Sequence, residues 1–260
     1  MKLIVLSFII VILISGCTQK LEQPQQTINS EKPTTINTKS RSPIASVNSA
    51  TLELLDLARK KVVYIEGGTG FFIRPNGYLV TNAHVVINES GVKPDIEVIT
   101  FDGTKYKAKL IGVKRNDDIA ILKIEKNYPY FEFWQSSELK EGDTVFVIGH
   151  PGDVGYWIVT KGKYIKIEQT VGLDSDVNKL TEWMLTTADA NNGNSGGPVV
   201  NLEMKVVGVV TGTTSHKLSP PQIPQKIQVV EDLKAFIPPQ YSTAVPSDLA
   251  IRIIEEILNQ

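Results

Sequence analysis

The stretch ADANNGNSGGPVV, residues Ala188 to Val200, places one serine in a glycine-rich turn between two apolar runs. Ser195 in this turn is either a hydroxyl on a tight turn or a nucleophile. A serine nucleophile needs a base within hydrogen-bond reach, an acid that orients the base, and backbone N–H groups directed at the developing oxyanion. Glycine at position 193 allows the backbone to turn its N–H toward the same point as the N–H of Ser195. The rest of the sequence has to supply the base and the acid.

The base has three candidates, since the chain has the histidines His84, His150 and His216. None of them has the spacing of a zinc site, so neither a metal nor a cofactor is expected. His84 ends the β-rich run TGFFIRPNGYLVTNAH. His150 lies in the turn GHPGD and is expected to be a loop histidine without a catalytic role, and the same holds for His216 in its polar segment. Histidine number and position alone do not assign the base.

Two adjacent acids, Asp117 and Asp118, are candidates for the orienting acid. In a regular strand Asp118 would share one face with Ala120 and Leu122, whereas Asp117 would share the face of Lys123. The orienting acid should be buried, and the face without a lysine is the better candidate. This pattern favours Asp118, and Asp117 is expected to be a solvated or capping acid.

The bulk composition limits the class of protein. The chain has 260 residues, 42% of them hydrophobic, and a net charge of −1. A chain of this length and composition can form one or two packed units. A net charge near zero gives no long-range electrostatic attraction to nucleic acid, so no nucleic-acid partner is expected. Short β-rich runs separated by turn signals such as Pro75-Asn76-Gly77 predict an all-β sandwich or barrel pair. A short helix is expected over Ser49 to Lys61, with Ser49 as its cap, and a second over 247–258, capped by Ser247 or Asp248.

The pattern of the N-terminal residues predicts a targeting segment. A lysine, an apolar run and small residues lead to Cys17, the only cysteine, and the run is shorter than the ~20 residues of a membrane span. The ending ISGC resembles the lipobox of prokaryotic lipoproteins, which implies a signal peptide over 1–16 and a lipid on Cys17. The alternative is an uncleaved anchor with a chance cysteine. Residues 17–48 are rich in Gln, Thr, Asn, Ser and Pro, and are expected to be a flexible tether.

Three blocks together resemble the active-site motifs of trypsin-fold serine proteases, closest to the HtrA/DegP-like branch. They are TGFFIRPNGYLVTNAHVV around His84, NDDIAILKI around Asp118 and GNSGGPVV around Ser195, in that order, and the resemblance extends over about Val62 to Leu258. It implies an all-β protease domain over 49–260, with antiparallel six-stranded barrels at about 62–135 and 140–246 and a C-terminal helix.

The resemblance also implies the roles of the residues. Ser195 would be the nucleophile, His84 the base and Asp118 the orienting acid, with the N–H groups of Gly193 and Ser195 as the oxyanion hole. The function implied is a serine endopeptidase of the cell envelope, lipid-anchored outside the cytoplasmic membrane, that cleaves unfolded or exported proteins. The alternative is a catalytically silent lipid-anchored chaperone or binding module on the same fold. An esterase would use the same triad, but the expected strand-serine-helix elbow is absent.

Specificity and control depart from the family pattern. Asp189 has the spacing of the acid that binds basic side chains in trypsin-like enzymes. The loop here lacks the disulfide that shapes that pocket. We therefore expect a pocket for small aliphatic residues rather than one for basic residues. An edge strand formed by Val209, Val210, Thr211 and Gly212 is expected to pair with the substrate backbone. The segment from Gly212 to Gln240 is expected to fold over the pocket.

Asn194 replaces the aspartate of the digestive branch, so no N-terminal zymogen switch is expected. No PDZ module is expected after the closing helix, and an oligomer is possible but not implied.

Overall fold

The computed structural model describes residues 48–88, 91–152, 155–171, 180–214 and 241–260. Several sequence predictions fall outside these ranges. They are the signal peptide, the lipidated Cys17, nearly all of the tether, His216, and residues 215–240 of the segment that is expected to fold over the pocket.

The first half of the described chain forms a closed six-stranded antiparallel barrel with the strand order β1-β2-β3-β8-β7-β6. A small separate hairpin, formed by β4 and β5, follows the short helix α2 (Ala83–Val86). The strands of this half are β1 (Val62–Ile65), β2 (Gly68–Phe72), β3 (Tyr78–Thr81), β4 (Ile87–Asn88), β5 (Gly91–Val92), β6 (Ile96–Ile99), β7 (Lys105–Lys114) and β8 (Ile119–Lys123).

The second half forms another closed antiparallel barrel, with the order β10-β11-β14-β13-β12-β9. Its strands are β9 (Thr144–Gly149), β10 (Ile158–Val171), β11 (Leu180–Thr186), β12 (Pro198–Val200), β13 (Val206–Thr214) and β14 (Tyr241–Pro246). The predicted fold class, two six-stranded barrels with a short helix at each end of the domain, is confirmed.

Alternation along the strands explains why so many of them read as unbroken apolar runs. In β8, Ala120 and Leu122 pack inside the first barrel, whereas Ile119 and Ile121 belong to a cluster shared by both barrels and the terminal helices. Because successive side chains point to opposite faces, a strand that is buried on both faces must be apolar at every position. The same alternation in β9 buries the side chain of Phe146 in the shared cluster.

Two helices close the domain, and both begin at the predicted residue but without the predicted cap. Helix α1 (Ser49–Arg59) is capped by Asn48, whose Oδ1 accepts from Thr51 N at 2.8 Å, not by Ser49. The predicted cap was wrong by one residue, since an Ncap residue lies outside the helical turn.

Helix α3 (Ser247–Leu258) follows the N-cap residue Pro246, which makes no side-chain capping bond, so the prediction of Ser247 or Asp248 as the cap was wrong. Ser247 Oγ accepts from Ser136 N at 2.9 Å and donates to Trp134 O, and Asp248 Oδ2 accepts from Ser137 N at 2.8 Å. These bonds attach the start of α3 to the segment that connects the barrels.

Candidate active site

His84 lies on the short helix α2, directly after β3, with its imidazole half exposed. Its Nδ1 lies 2.8 Å from Asp118 Oδ2 and 3.0 Å from Oδ1, and its backbone N donates to Oδ1 at 3.1 Å. The carboxylate therefore contacts the histidine through both the ring and the backbone. This double contact fixes the orientation of the ring relative to the acid.

Asp118 does not lie in the strand but one residue before it, at the end of a tight turn (Arg115–Asp117). Its backbone is left-handed, with φ 53° and ψ 40°. Its N–H donates to Arg115 O at 3.1 Å, and its carbonyl accepts from Asn82 Nδ2 at 2.8 Å. A left-handed aspartate is strained by about 1–2 kcal/mol, and these bonds hold it there.

The two acids differ from the sequence argument in their burial. Asp117 is 7% exposed, so of its two predicted roles, solvated acid or capping acid, the first disagrees with the structure, while the side chain of Asp118 is 20% exposed. The face argument assumed that both residues belong to β8, but the turn before Ile119 breaks the alternation. Of the two carboxylates, that of Asp118 lies against His84.

Ser195 lies in the loop before β12, and its backbone is fastened to the first barrel. Its carbonyl accepts from Thr69 N at 2.8 Å. A Cβ on Gly68 would lie 2.6 Å from Val85 Cγ2 and 3.0 Å from Ser195 O, so the neighbour of His84 and the backbone of Ser195 flank the same glycine. The loop therefore lies beside the helix that carries the imidazole.

The Ser195 hydroxyl donates to Thr211 O at 3.3 Å. Within the described ranges no hydrogen bond joins it to His84. Unliganded sites of this kind often have loose contacts between nucleophile and base, which tighten when substrate binds. The structure therefore brings together His84 and Asp118 directly, and Ser195 through its backbone.

Gly193 has φ +99°, a conformation that a side chain would oppose. A Cβ there would lie 2.2 Å from His150 O. The carbonyl of Asn192, on the peptide that carries the Gly193 N–H, accepts from Gly152 N at 3.0 Å. Because a trans peptide directs its C=O and N–H to opposite sides, the Gly193 N–H points away from Gly152.

The predicted substrate strand is only partly free. Val209 pairs with Pro198 on one side and Val245 on the other, and Val210 bonds to Gly196 and Gly197 through both its carbonyl and its N–H. These two valines lie inside the barrel, so an edge role for them disagrees with the structure. Beyond them, no strand among the described residues pairs with Thr211 and Gly212 on the β12 side, although Gly212 still pairs with Thr243 of β14.

Asp189 is exposed, and its backbone is fixed on the wall of the second barrel. Thr160 Oγ1 of β10 donates to Asp189 O at 2.6 Å, and the next residue, Ala190, donates to Ser242 Oγ of β14 at 2.9 Å. These two bonds fix the backbone position of Asp189. They do not identify a partner for its carboxylate.

His150 lies in the loop directly after β9, as predicted, but it is buried, with 2% of its surface exposed. Its ring packs edge-on against Trp157, with centroids 4.7 Å apart, and against Tyr64 at 5.5 Å. Burial lowers the pKa of His150 to about 3, so the ring is neutral. Thr69 and Asn82 were also missed, although a polar residue inside the apolar runs GGTGFFI and YLVTNAHVV was a usable signal.

The described residues contain no cluster of three or more His, Cys, Asp or Glu side chains arranged for a metal ion. In the same part of the chain, no helix has the length and apolar character needed to cross a membrane.

Comparisons with known proteins agree with this geometry. The family model for a trypsin-like peptidase domain matches residues 68–209. A probable periplasmic serine endoprotease DegP-like of Rickettsia conorii is 41% identical over 167 residues, which are 63% of this chain and 31% of that protein. Serine protease HTRA1B of Danio rerio is 35% identical over 164 residues, 60% of this chain and 33% of that protein. The chain thus spans about a third of the length of these curated relatives.

Solved structures give the same fold. An HtrA-type protease AlgW with tripeptide aligns with a TM-score of 0.61 and 25% identity, over 80% of this chain and 63% of that one. The AlgW structure with decapeptide aligns with a TM-score of 0.56 and 26% identity, over 74% of this chain and 52% of that one. With two closed barrels, a histidine–aspartate pair beside a glycine-flanked serine, and a family match over more than half its length, the chain belongs to the trypsin-like peptidase family.

Proposed function

We propose that this chain is a serine endopeptidase in which Ser195 is the nucleophile, His84 the general base and Asp118 the orienting acid. The observation that carries the proposal is the contact of 2.8 Å between His84 Nδ1 and Asp118 Oδ2. A proton on Nδ1 is held by that carboxylate, which leaves Nε2 as the free acceptor that a general base needs.

The proposed reaction needs only these groups and a water. Ser195 Oγ turns from Thr211 O and attacks the scissile carbonyl carbon, while His84 Nε2 takes the hydroxyl proton. The imidazolium gives that proton to the leaving amine nitrogen as the C–N bond breaks, which forms an acyl-enzyme. Water then loses a proton to His84 Nε2 and attacks the ester carbonyl carbon. The C–O bond to Ser195 breaks as that proton passes to Ser195 Oγ, which releases the carboxylic acid product.

The oxyanion of the tetrahedral intermediate is proposed to bind to the N–H groups of Gly193 and Ser195. Support comes from the Asn192 carbonyl, whose bond to Gly152 turns the Gly193 N–H in the opposite direction. Preorganised donors of this kind are worth about 10²–10³ in kcat each.

The substrate is proposed to be an extended polypeptide that pairs with Thr211 and Gly212. Strand addition of this kind recognises backbone rather than sequence, and a folded protein rarely exposes a free extended segment. Unfolded or exported proteins are therefore the proposed substrate class, in keeping with relatives named as probable periplasmic endoproteases.

Asp189 is proposed to sit near the primary pocket without imposing a trypsin-like preference. A pocket for small aliphatic residues remains the favoured specificity. Cleavage of a peptide library by wild type and by Asp189→Asn tests this. Cleavage after aliphatic residues by both proteins supports it, whereas cleavage after Lys or Arg that Asp189→Asn abolishes contradicts it.

The location is proposed to be the cell envelope, with a lipid on Cys17 and a tether that leads to the barrels. Incorporation of labelled fatty acid into the full chain, and its loss in Cys17→Ser, would support the anchor. A wild-type protein that takes up no lipid would contradict it.

The test of the catalytic proposal is labelling by a fluorophosphonate probe, together with hydrolysis of an unfolded protein substrate. Wild type should label and hydrolyse, and Ser195→Ala should do neither while keeping its fold by circular dichroism. A wild type without Ser195-dependent label, with and without added unfolded polypeptide, would reject the endopeptidase and leave the silent binding module.

A further inference from the structure

Thr69, on β2, is a fully buried threonine that the proposed chemistry does not use. Its backbone bonds to Ser195 O and to Thr81 Oγ1, at 2.8 and 2.7 Å. Its hydroxyl lies 2.6 Å from Gly193 O, 3.0 Å from His150 Nδ1 and 3.2 Å from His150 N. One residue of the first barrel thus holds the nucleophile loop at two points.

A hydroxyl has one proton, and its three neighbours decide where that proton goes. Gly193 O can only accept, so the Thr69 proton is donated to it. The His150 backbone N–H can only donate. His150 Nδ1 must then also be a donor, which fixes the neutral ring as the Nδ1–H tautomer.

The other ring nitrogen of His150 agrees with this tautomer. Nε2 is buried and has no hydrogen-bond partner among the described residues. An unprotonated nitrogen without a partner costs less than an N–H without an acceptor, since under-satisfied acceptors are tolerated more often than orphan donors. A burial-lowered pKa of about 3 keeps the second proton off the ring.

Each of the two peptide groups that flank the Cα of Gly193 therefore accepts a hydrogen bond at its carbonyl oxygen. The Asn192 carbonyl is held by Gly152 N at 3.0 Å, and the Gly193 carbonyl by the Thr69 hydroxyl at 2.6 Å. A glycine at φ +99° has wide conformational freedom of its own, so these two bonds are what select its conformation.

We propose that Thr69 and His150 are positioning residues for the oxyanion hole: His150 Nδ1–H directs the Thr69 hydroxyl at Gly193 O, and that bond aims the Gly193 N–H at the reacting carbonyl. The proposal rests on the endopeptidase function proposed above. It concerns the transition state, where the negative charge develops, and not the binding of the ground-state peptide.

The first test compares Thr69→Val with Thr69→Ser in the full chain. Valine keeps the shape but removes the hydroxyl, and serine keeps the hydroxyl. Thr69→Val should lower kcat by about 10- to 100-fold with KM within about 3-fold, since only the transition state loses a contact. Thr69→Ser should recover most of that loss. Equal kcat in both variants, or a loss confined to KM, would overturn the proposal.

A matched control is Thr100→Val, which also removes a fully buried threonine hydroxyl, one that lies 2.5 Å from Asp102 Oδ1 and 3.1 Å from Thr104 O. This site lies at the β6–β7 turn of the first barrel. If Thr100→Val lowers kcat as much as Thr69→Val, the effect is general destabilisation and the proposal fails.

The second test uses His150 and does not depend on Thr69→Val being folded. Asparagine can place its Nδ2 donor near the position of the imidazole Nδ1, whereas leucine fills that position without a donor, and both leave the rest of the ring site empty. His150→Leu should lower kcat about 10-fold or more below His150→Asn. Equal kcat in the two variants would overturn the donor role.

A spectroscopic test separates this inference from the endopeptidase proposal. Imidazole ¹⁵N NMR of Ser195→Ala protein should show His150 protonated on Nδ1 alone, and the Gly193 amide signal should shift in Thr69→Val but not in Thr69→Ser. A His150 ring protonated on Nε2 alone rejects the inference, even if wild type labels with fluorophosphonate. Absence of label rejects the endopeptidase but leaves these spectra to decide the Thr69–His150 contact.

Discussion

At the scale of single residues, the site is held by polar side chains buried in otherwise apolar strands. Asn82 is fully buried and holds the carbonyl of Asp118, while its own Oδ1 has no partner among the described residues. Thr69 and His150 act in the same way on the opposite side, at Gly193. Buried groups with incomplete hydrogen bonding cost free energy, and such costs are typically found where function requires one geometry.

Burial of neutral His150 predicts a pH dependence of stability. The folded pKa is about 3 and the ordinary value 6.5, so between these pH values the unfolded chain binds a proton that the folded chain does not. The contribution is fully present above pH 6.5 and is lost as the pH falls toward 3, by about 1.4 kcal/mol for each pH unit. Among the described residues, the titratable side chains whose rings contact that of His150 are Tyr64 and Tyr156.

Urea denaturation of wild type and His150→Asn, from pH 7 down to pH 4, measures this contribution. The free energy of unfolding of wild type should fall more steeply with decreasing pH than that of His150→Asn, because the variant lacks the titrating ring. Parallel pH profiles would show that the ring is accessible to protons in the folded state.

At the scale of elements, turns fix the register of the strands that carry the site. The turn Pro75-Asn76-Gly77 joins β2, which holds Thr69, to β3, which leads to His84. Gly77 has φ +83°, and a Cβ there would lie 2.1 Å from Ile124 O and 2.6 Å from Lys126 O. Gly103, in the β6–β7 turn, has a similar φ of +81° but open space around it. Both glycines have a backbone conformation that disfavours a side chain, but only at Gly77 would a side chain also meet neighbouring backbone atoms.

Replacement of each glycine by alanine should therefore have unequal effects. Gly103→Ala should lower the free energy of unfolding by about 1 kcal/mol, the cost of a left-handed alanine. Gly77→Ala should lower the free energy of unfolding by more than about 3 kcal/mol, since the backbone of Ile124 and Lys126, after β8, must move. Chemical denaturation of the two variants measures the difference, and equal losses would mean that the loop after β8 yields easily.

At the scale of the whole domain, α3 joins the two barrels. It packs against β7 and β8 of the first barrel and against β13 and β14 of the second. Ile257 is buried in the shared cluster, and its Cγ2 would lie 2.5 Å from a Cβ on Gly112 of β7. The candidate triad comes from both barrels. Because α3 packs against both of them, it also stabilises the position of the candidate catalytic groups relative to one another.

Ile257→Ala should destabilise both barrels together, by about 2–5 kcal/mol. Leu57→Ala on α1, at a leucine 55% exposed, is the control and should change stability by less than about 0.5 kcal/mol. Hydrogen exchange of amides in β8 and β13 reports on each barrel separately. Loss of protection in one barrel alone would show that α3 does not couple them.

The sequence by itself predicted the barrel architecture and named three candidate site residues. Strands buried on both faces must be apolar throughout and turns need glycine, so local patterns carry the architecture. His84, Asp118 and Ser195 stand in motifs that resemble those of a known family, and their roles stay a prediction. Helix caps were predicted only to within a residue, because Asn48 caps the helix that Ser49 was expected to cap.

Only the tertiary structure decided which groups meet across the two barrels. The left-handed turn at Asp118, the pairing of Val209 and Val210 on both sides, and the Thr69–His150–Gly193 contact join residues from different elements. Thr69 and Gly193 are 124 positions apart in the chain. Burial and hydrogen bonding between such distant residues depend on how the barrels pack, and no local pattern in either segment encodes that packing.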